Sequence, residues 1–516
     1  MSIQIKQKTI FFALFVFLIF TRIYLCDPTL GLDEAEQMVF AQNLAFGYPS
    51  QPPLYTWLQY LVFQCFGFTL FSLAFLKYGL LIGSIGVYYQ LCRLICRPAL
   101  VWPAFLSWAL IPNISYDLLM HRTHVVLALL ATCLTVHWLL STANDVSAVV
   151  PSKKLAKTRK IFSYFYLGLI VAMGCLSKFN FLVFLTLFGI IAWSIPSYRQ
   201  RLKNRWILLS CAIVLLIITP YCLWILNNPA IAFYAAYKLA PAEKSVSNGI
   251  FALMLSMSCF MLPSSVFFGF FYNQYFLHKR KNLRPLFSLT QSKQDNAVQS
   301  KEPFETALQQ PSQAYVLLLR YHVLLIPALL LMVIGGGLHE VKTHWLLPLF
   351  CFTPLLLFGH LSQCITDKTG FWTKQRILWR RSYLYTCLLF QLCLLMLWIT
   401  RTPYLAKWPL DAFVNELQKT SQPSLKIASN SHWLLGSLIY RFSEAPESAK
   451  PTRSPKSFKG ELLFPTVPFE LPKDPTLWVW EGKEMPDFLK AKVGALHVKE
   501  RMIATNEWRA LAGAII

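Results

Sequence analysis

Two acids stand side by side at Asp33 and Glu34, in Leu32-Asp33-Glu34-Ala35-Glu36-Gln37. The run Gly47-Tyr48-Pro49-Ser50-Gln51-Pro52-Pro53-Leu54-Tyr55 follows shortly after. From Asp27 to Gly67 there are four acids, Asp27, Asp33, Glu34 and Glu36, and no Lys or Arg, in a chain with 48 basic and 24 acidic residues. A carboxylate on such a loop can orient a hydroxyl or amine nucleophile, accept its proton or hold a divalent cation. An ordinary solvated acidic loop has the same composition. Asp117 is a second candidate carboxylate, followed by His121, Arg122 and His124. Its plainest alternative is an ion pair with Arg122. The histidines suit acid–base work or a phosphate contact, and equally suit packing at a membrane interface. Lys178, in Leu176-Ser177-Lys178-Phe179-Asn180, and Lys238, after Asn227-Asn228-Pro229, are the candidate anion-binding cations. Lys178 can also simply snorkel to the interface, and Lys238 sit in a solvated loop. His339, Glu340 and His344 form a polar cluster that would bind a divalent metal only with ligands from elsewhere.

The elements that must position these groups are read from composition. With 516 residues, 55% hydrophobic, 14% charged and a mean hydropathy of +0.46, the chain is too apolar for soluble domains, whose charged fraction is nearer ~25%. Apolar windows long enough to span a bilayer fall near 10–26, 69–92, 99–113, 124–142, 161–177, 179–196, 206–226, 249–276, 315–338, 345–362 and 382–400, about eleven spans. No small-x-small cleavage site follows the first, so it reads as a retained span rather than a signal peptide. If the spans alternate from an inner N-terminus, 24 Lys and Arg fall on inner loops. Only five fall on outer ones: Arg122, Lys178, Lys238, Lys244 and Lys342. That asymmetry supports the orientation and puts the tail outside. It also accounts for the net charge of +24 without nucleic acid. The acidic segment is then the first outer loop, with interfacial helices expected from Glu34 to Gln42 and from Leu54 to Phe66, joined by the stiff Pro49, Pro52 and Pro53.

The thirteen cysteines lie at or before Cys393, most inside apolar runs, which argues against a secreted disulfide scaffold. Cys26 and Cys65, flanking the acidic loop, are the one pair placed to join. The polar loop at 277–314 reads as a linker. The tail has a helix-like stretch from Leu410 to Lys419, a strand-like Leu477-Trp478-Val479-Trp480, and turns at Pro472, Pro475 and Pro486, which together read as a small mixed α/β domain. The expected organisation is an α-helical polytopic membrane domain over 1–402 and a C-terminal α/β domain over 403–516. No P-loop, dinucleotide fingerprint or zinc-type Cys/His spacing is present.

Asp-Glu-Ala at 33–35, Gly47-Tyr48 and Pro52-Pro53-Leu54 together resemble the first periplasmic loop of the GT-C glycosyltransferases of family 39. That family includes the dolichyl-phosphate-mannose protein mannosyltransferases and the bacterial lipid A aminoarabinose transferase. The resemblance continues through Leu176 to Asn180, His344-Trp345-Leu346-Leu347-Pro348 and the tail from Leu434 to Pro446; only the first-loop signature is specific. It implies a multi-pass enzyme of a bacterial inner membrane, N-terminus cytoplasmic and C-terminal domain periplasmic. Such an enzyme transfers a sugar, with inversion, from a polyprenyl-phosphate donor to a lipid A or core, other envelope glycan, or protein acceptor. By the same resemblance Asp33 is the essential carboxylate and Glu34 its neighbour that either tunes it or helps hold the fold. Asp117 is the second acid, and Lys178 and Lys238 are donor-phosphate contacts; His121, Arg122 and His124, on their own chemistry, are further candidates for that role. Tyr48, Gln51, Pro52, Pro53 and Tyr55 form the substrate loop. Gln51 is a departure, since some relatives carry Lys there. The resemblance fixes no cofactor, and it leaves a divalent metal open. A transporter or flippase of lipid-linked sugars is the alternative. It requires ionisable groups within spans, whereas the polar groups here cluster on outer loops. A non-catalytic scaffold is the third reading.

Overall fold

The structure, a computed structural model, describes residues 2–144, 153–233, 239–241, 243–289, 312–364, 374–400, 410–411, 414, 426–429, 431–444, 460–462, 476–481, 501–506 and 509–515. The following statements concern those residues. Seven helices are long and apolar enough to cross a membrane. They are Lys8–Leu25, Leu70–Ile95, His124–Ser141, Ile207–Asn227, Val246–Val266, Gln313–Gly335 and Arg381–Thr400. An eighth span arises if Asn180–Ser194 and Pro196–Leu202, bent by 116°, count as one. The expected eleven is therefore too many by that criterion. The window at 99–113 breaks into short helical pieces, and that at 345–362 into a 3-10 turn and two short helices. The window at 161–177 lies in a helix whose first turns carry Lys153, Lys154, Lys157, Arg159 and Lys160.

In chain order the helices are α1 (Ser2–Phe20, continued by a π turn to Leu25), α2 (Leu32–Phe40), α3 (Leu54–Phe66), α4 (Leu70–Ile95), α5 (Val101–Ser107), α6 (Leu118–Met120), α7 (His124–Asn144), α8 (Lys153–Cys175) and α9 (Asn180–Ser194). They continue as α10 (Pro196–Leu202), α11 (Ile207–Asn227), α12 (Pro229–Ala232), α13 (Val246–Leu289), α14 (Gln313–Gly335), α15 (Leu347–Phe350), α16 (Thr353–Cys364) and α17 (Lys374–Thr400). Local chemistry sets several ends. Thr69 caps α4 by accepting the Ser72 N–H, Pro196 opens α10, and Gly67, at φ 74°, ends α3 in the left-handed region. Both interfacial helices of the first loop form, α3 over the expected residues and α2 two residues earlier. Residues 277–289, expected in a linker, instead continue α13 as helix; residues 290–311 lie outside the described ones. Cys26 and Cys65 are free, so the candidate disulfide is not made.

The tail contributes β1 (Lys426–Ser429), α18 (His432–Glu444), β2 (Gly460–Leu462), β3 (Thr476–Glu481), β4 (Arg501–Asn506) and β5 (Arg509–Ile515). They form one mixed sheet in the order β2-β1-β3-β5-β4. β1 runs parallel to β2 and β3, and β5 antiparallel to β3 and β4. Thus the strand expected at 477–480 is present and the α/β class holds. Of the expected helix at 410–419 only Leu410, Asp411 and Val414 are described, all helical; the three turn prolines lie outside the described residues. The tail does not stand apart from the membrane domain. α18 packs its buried Trp433, Leu434, Leu438 and Ile439 with Ala35, Met38 and Val39 of α2 in one apolar cluster. The contact is close because Gly436 carries no side chain: a Cβ there would stand 2.1 Å from the Ala35 carbonyl oxygen. Trp433 Nε1 also donates to the Leu30 carbonyl at 3.2 Å. The helix bearing the two acids is therefore held on one side by the membrane bundle and on the other by the tail.

Candidate active site

Asp33 and Glu34 occupy the first turn of α2, where the helix dipole favours negative charge. Successive residues on a helix point about 100° apart, so the two carboxylates face different surroundings. Glu34 points into the bundle. Its Oε2 accepts from Arg22 Nη2 at 2.8 Å and from the Gly31 N–H at 3.0 Å, and its Oε1 lies 3.9 Å from Lys77 Nζ. All three side chains are almost fully buried, between 1% and 6% exposed. Burial alone would raise the Glu34 carboxyl, but Arg22 and Lys77 outweigh it and hold it down to about 2. It stays ionised and is a poor proton acceptor. The remaining donors of the cations are spent on backbone: Arg22 on the Asp27 and Thr29 carbonyls at 3.0 and 3.2 Å, Lys77 on Leu119 at 2.9 Å. Tyr78 Oη donates to the same Leu119 carbonyl at 3.2 Å. The triad thus ties α1 and α4 to both loops that carry candidate acids.

Asp33 faces outward and its side chain is 21% exposed. Oδ2 accepts from the Thr123 N–H at 3.2 Å, and Oδ1 lies 3.8 Å from Arg122 Nη1. Arg122 Nε also donates to both oxygens of Asp117, at 3.2 and 3.3 Å. The expected ion pair of Asp117 is thus made, and by the cation that also approaches Asp33. One guanidinium joins the two loops. A cavity of about 340 Å³ opens against this group, walled by Asp33, Glu34, His121, Arg122, Met120 and Trp398 among others. Among the described residues, no cluster of three or more His, Cys, Asp or Glu is placed to hold a metal. Glu340 of the expected polar cluster pairs instead with Lys244 at 3.1 Å and Lys342 at 3.7 Å.

Lys178 lies between α8 and α9, half-buried, in the field of Asp33, Arg122, Glu36 and Asp117. Burial lowers its ammonium to about 8, with Asp33 acting in the opposite sense. The peptide link from Leu176, whose carbonyl accepts the Leu54 N–H at 3.1 Å, fastens this junction to the start of α3. His344 is buried close enough to feel Lys178 and Arg122; burial and these cations push it down to about 2, so its ring stays neutral.

The other expected site residues fall differently. His121 lines the cavity, but His124 is buried behind it, its Nε2 2.9 Å from Gln37 Nε2 and its ring 5.1 Å from that of Tyr55. Tyr48, Pro52, Pro53 and Tyr55 are buried, so they present no open face to a substrate. Tyr48 Oη donates to the Asn43 carbonyl at 2.7 Å and accepts the Ala45 N–H at 3.1 Å, which makes it a brace for the loop. Gln51 is half-buried and bridges back to Tyr48 across Ser50, whose φ is 64°. Lys238 lies outside the described residues. Arg22 and Lys77 were not singled out from the sequence, and they correct the expectation that ionisable groups avoid the spans. Their signal was present, since a cation inside an apolar window needs a partner.

Comparisons with known proteins bear on the sequence family and the fold. Residues 50–224 match the dolichyl-phosphate-mannose-protein mannosyltransferase family. Two relatives are lipopolysaccharide core galacturonosyltransferases of Rhizobium johnstonii. RgtB is 28% identical over 63% of this chain and 59% of its own length, and RgtA is 24% identical over 92% and 86%. The match therefore spans less than two thirds of RgtB. Solved structures of ArnT from Cupriavidus metallidurans, bound to undecaprenyl phosphate and in the apo state, share the fold with a TM-score of 0.56 at 12% identity. The bound form covers 98% of both chains. The chain is thus similar in sequence to membrane glycosyltransferases and shares the fold of ArnT.

Proposed function

We propose that the protein is an inverting glycosyltransferase that moves a uronic acid from a polyprenyl-phosphate donor to an envelope glycan, the lipopolysaccharide core first, at the outer face of a bacterial inner membrane. The observation that carries the reading is Asp33: a part-exposed carboxylate, fixed by the Thr123 N–H, facing a cavity and flanked by Arg122. Asp33 accepts the proton of an acceptor hydroxyl as that oxygen attacks the anomeric carbon. The bond from that carbon to the phosphate oxygen breaks, and the polyprenyl phosphate leaves with the electron pair. Charge grows on the leaving phosphate, and preorganised cations stabilise it in a partly dehydrated site. Arg122, Lys178 and His121 are the groups placed for this. A uronic acid donor adds a second anion, and two separate cations near Asp33 suit that charge. The uronic acid itself is taken from the names of the two relatives. No divalent metal is assigned, because Arg122 occupies the oxygens of Asp117 and approaches those of Asp33.

A flippase needs ionisable groups that line a path. Arg22 and Lys77 are within spans, yet their donors are spent on Glu34 and on backbone carbonyls, which favours a structural part. The test is incubation of the purified full chain with a labelled polyprenyl-phosphate-linked uronic acid and core acceptor, beside mass spectrometry of envelope lipids from cells with and without the protein. Donor consumption and a uronic acid mass lost from the core are expected. Unchanged lipids, together with no donor consumption, overturn the proposal.

A further inference from the structure

A second cavity, of about 380 Å³, lies between α7, α8, α9, α10 and α11, on helices that border the basic segments 153–160 and 199–205. Its walls include Trp138, Leu167, Val171, Leu185, Gly189 and Val214. They present carbon, because the polar groups that reach the wall are satisfied inside the protein. Thr135 Oγ1 donates to the Ala131 carbonyl at 2.8 Å, Ser210 Oγ to Tyr164 at 2.6 Å and Trp138 Nε1 to Ser163 at 2.9 Å. A buried water needs two to four polar partners, which this wall does not offer. The space suits hydrocarbon. Gly189 marks it from the α9 side: no atom stands within 4 Å of where its Cβ would be. At Gly168, by contrast, Ile213 Cβ and the Ser210 carbonyl oxygen stand 2.9 and 3.0 Å from that position, so α8 and α11 close tightly there.

The rim gives the occupant a headgroup. Leu202 and Ile207 line the cavity, and the turn between them carries Lys203 and Arg205, both exposed. Lys203 Nζ stands 5.6 Å from the Trp193 ring and the Arg205 guanidinium 5.2 Å from the Trp206 ring, the pairing of cations and Trp found at a membrane–water boundary. From Ile195 to Ile207, and from Lys153 to Lys160 at the start of α8, there is no acid. We propose that this cavity holds one acyl chain of an anionic phospholipid whose phosphate rests on Lys203 and Arg205. Charge complementarity selects the anionic lipid, and the carbon wall its chain.

The experiment is native mass spectrometry of the purified full chain after exchange into phosphatidylglycerol or phosphatidylcholine, with thermal unfolding in parallel. The wild type retains one phosphatidylglycerol, preferred about tenfold over phosphatidylcholine, as two cations near the headgroup imply. Gly189→Leu fills open space with a good helix former and lowers occupancy about tenfold. A Lys203→Gln, Arg205→Gln double variant keeps the cavity and loses the preference. In thermal unfolding, phosphatidylglycerol stabilises the wild type and not Gly189→Leu. Equal retention of the two lipids, undiminished retention by Gly189→Leu, or an isoprenoid as the retained molecule overturns the proposal. It stands or falls independently of the transfer activity proposed above.

Discussion

Asp33 and Glu34 are adjacent in sequence and share one helical turn, yet they occupy opposite environments. Glu34 is surrounded by buried cations and backbone donors that fix its charge, while Asp33, on the wall of the same cavity, keeps part of its side chain exposed. Chemical type does not separate them; direction does. The inward acid binds the loop to the bundle, which leaves the outward one held in place and free to react. The sharpest way to test this division is Asp33→Asn. The amide still accepts the Thr123 N–H but cannot take a proton, so the transfer rate is expected to fall by about 10²–10⁴-fold. Unfolding should stay near wild type. A purified variant that transfers sugar at the wild-type rate would break the comparison at its catalytic side.

Glu34→Gln addresses the other side. It removes the charge between Arg22 and Lys77 and leaves both buried without a counter-ion, at a cost of about 3–5 kcal/mol. The measurement is thermal or denaturant unfolding in detergent, with activity normalised to folded protein. Low stability with appreciable activity per folded molecule is expected. Full stability with loss of activity would transfer the catalytic part to Glu34.

The third prediction concerns Lys178, whose ammonium lies in the field of Asp33. Lys178→Met is expected to lower kcat/KM about 10–100-fold, the worth of a charged hydrogen bond to a phosphate. Because the free-enzyme ammonium sits at about 8, it is protonated below that pH and loses its charge above it. Donor capture in the wild type should therefore decline as pH rises through about 8, and Lys178→Arg should remove that alkaline limb. Bound phosphate raises the ammonium again, so kcat should hold to a higher pH than kcat/KM. A profile of kcat/KM that stays flat through this range removes Lys178 from the site.

Much of this layout was legible in the sequence. The apolar windows, the acidic first loop, its two interfacial helices and the Asp117–Arg122 pair all follow from local composition and spacing. The triad was less accessible, since its members come from two spans and a loop and meet only through packing. Arg22 and Lys77 nevertheless advertised themselves as charges in apolar windows. Among the described residues fewer windows form long, unbroken apolar helices than the eleven expected, because hydropathy measures how apolar a segment is and not whether its backbone stays helical. The broken pieces at 99–113 satisfy the first condition and fail the second. Burial of Tyr48 and Tyr55 likewise depends on how α2 and α3 fold against the bundle, which loop composition does not encode.

The smallest expected effect tests how the tail supports the comparison. α18 meets α2 at Gly436, and both acids ride on α2. Gly436→Ala would improve helix propensity by about 1 kcal/mol. Its Cβ, however, would stand 2.1 Å from the carbonyl oxygen of Ala35, an atom that cannot rotate away. Overpacking against backbone costs about 1–3 kcal/mol, so the net loss of stability is expected to be small. The functional consequence should be larger than the stability loss suggests, because the strain is relieved by shifting α2 and with it the distance from Asp33 to Arg122. Thermal unfolding and kcat measured on the same preparation give the answer. A fall in kcat with little change in melting temperature fits a helix held in position from two sides. A rise in melting temperature with unchanged kcat would mean that α18 does not press on α2, and that the bundle alone sets the direction of the two acids.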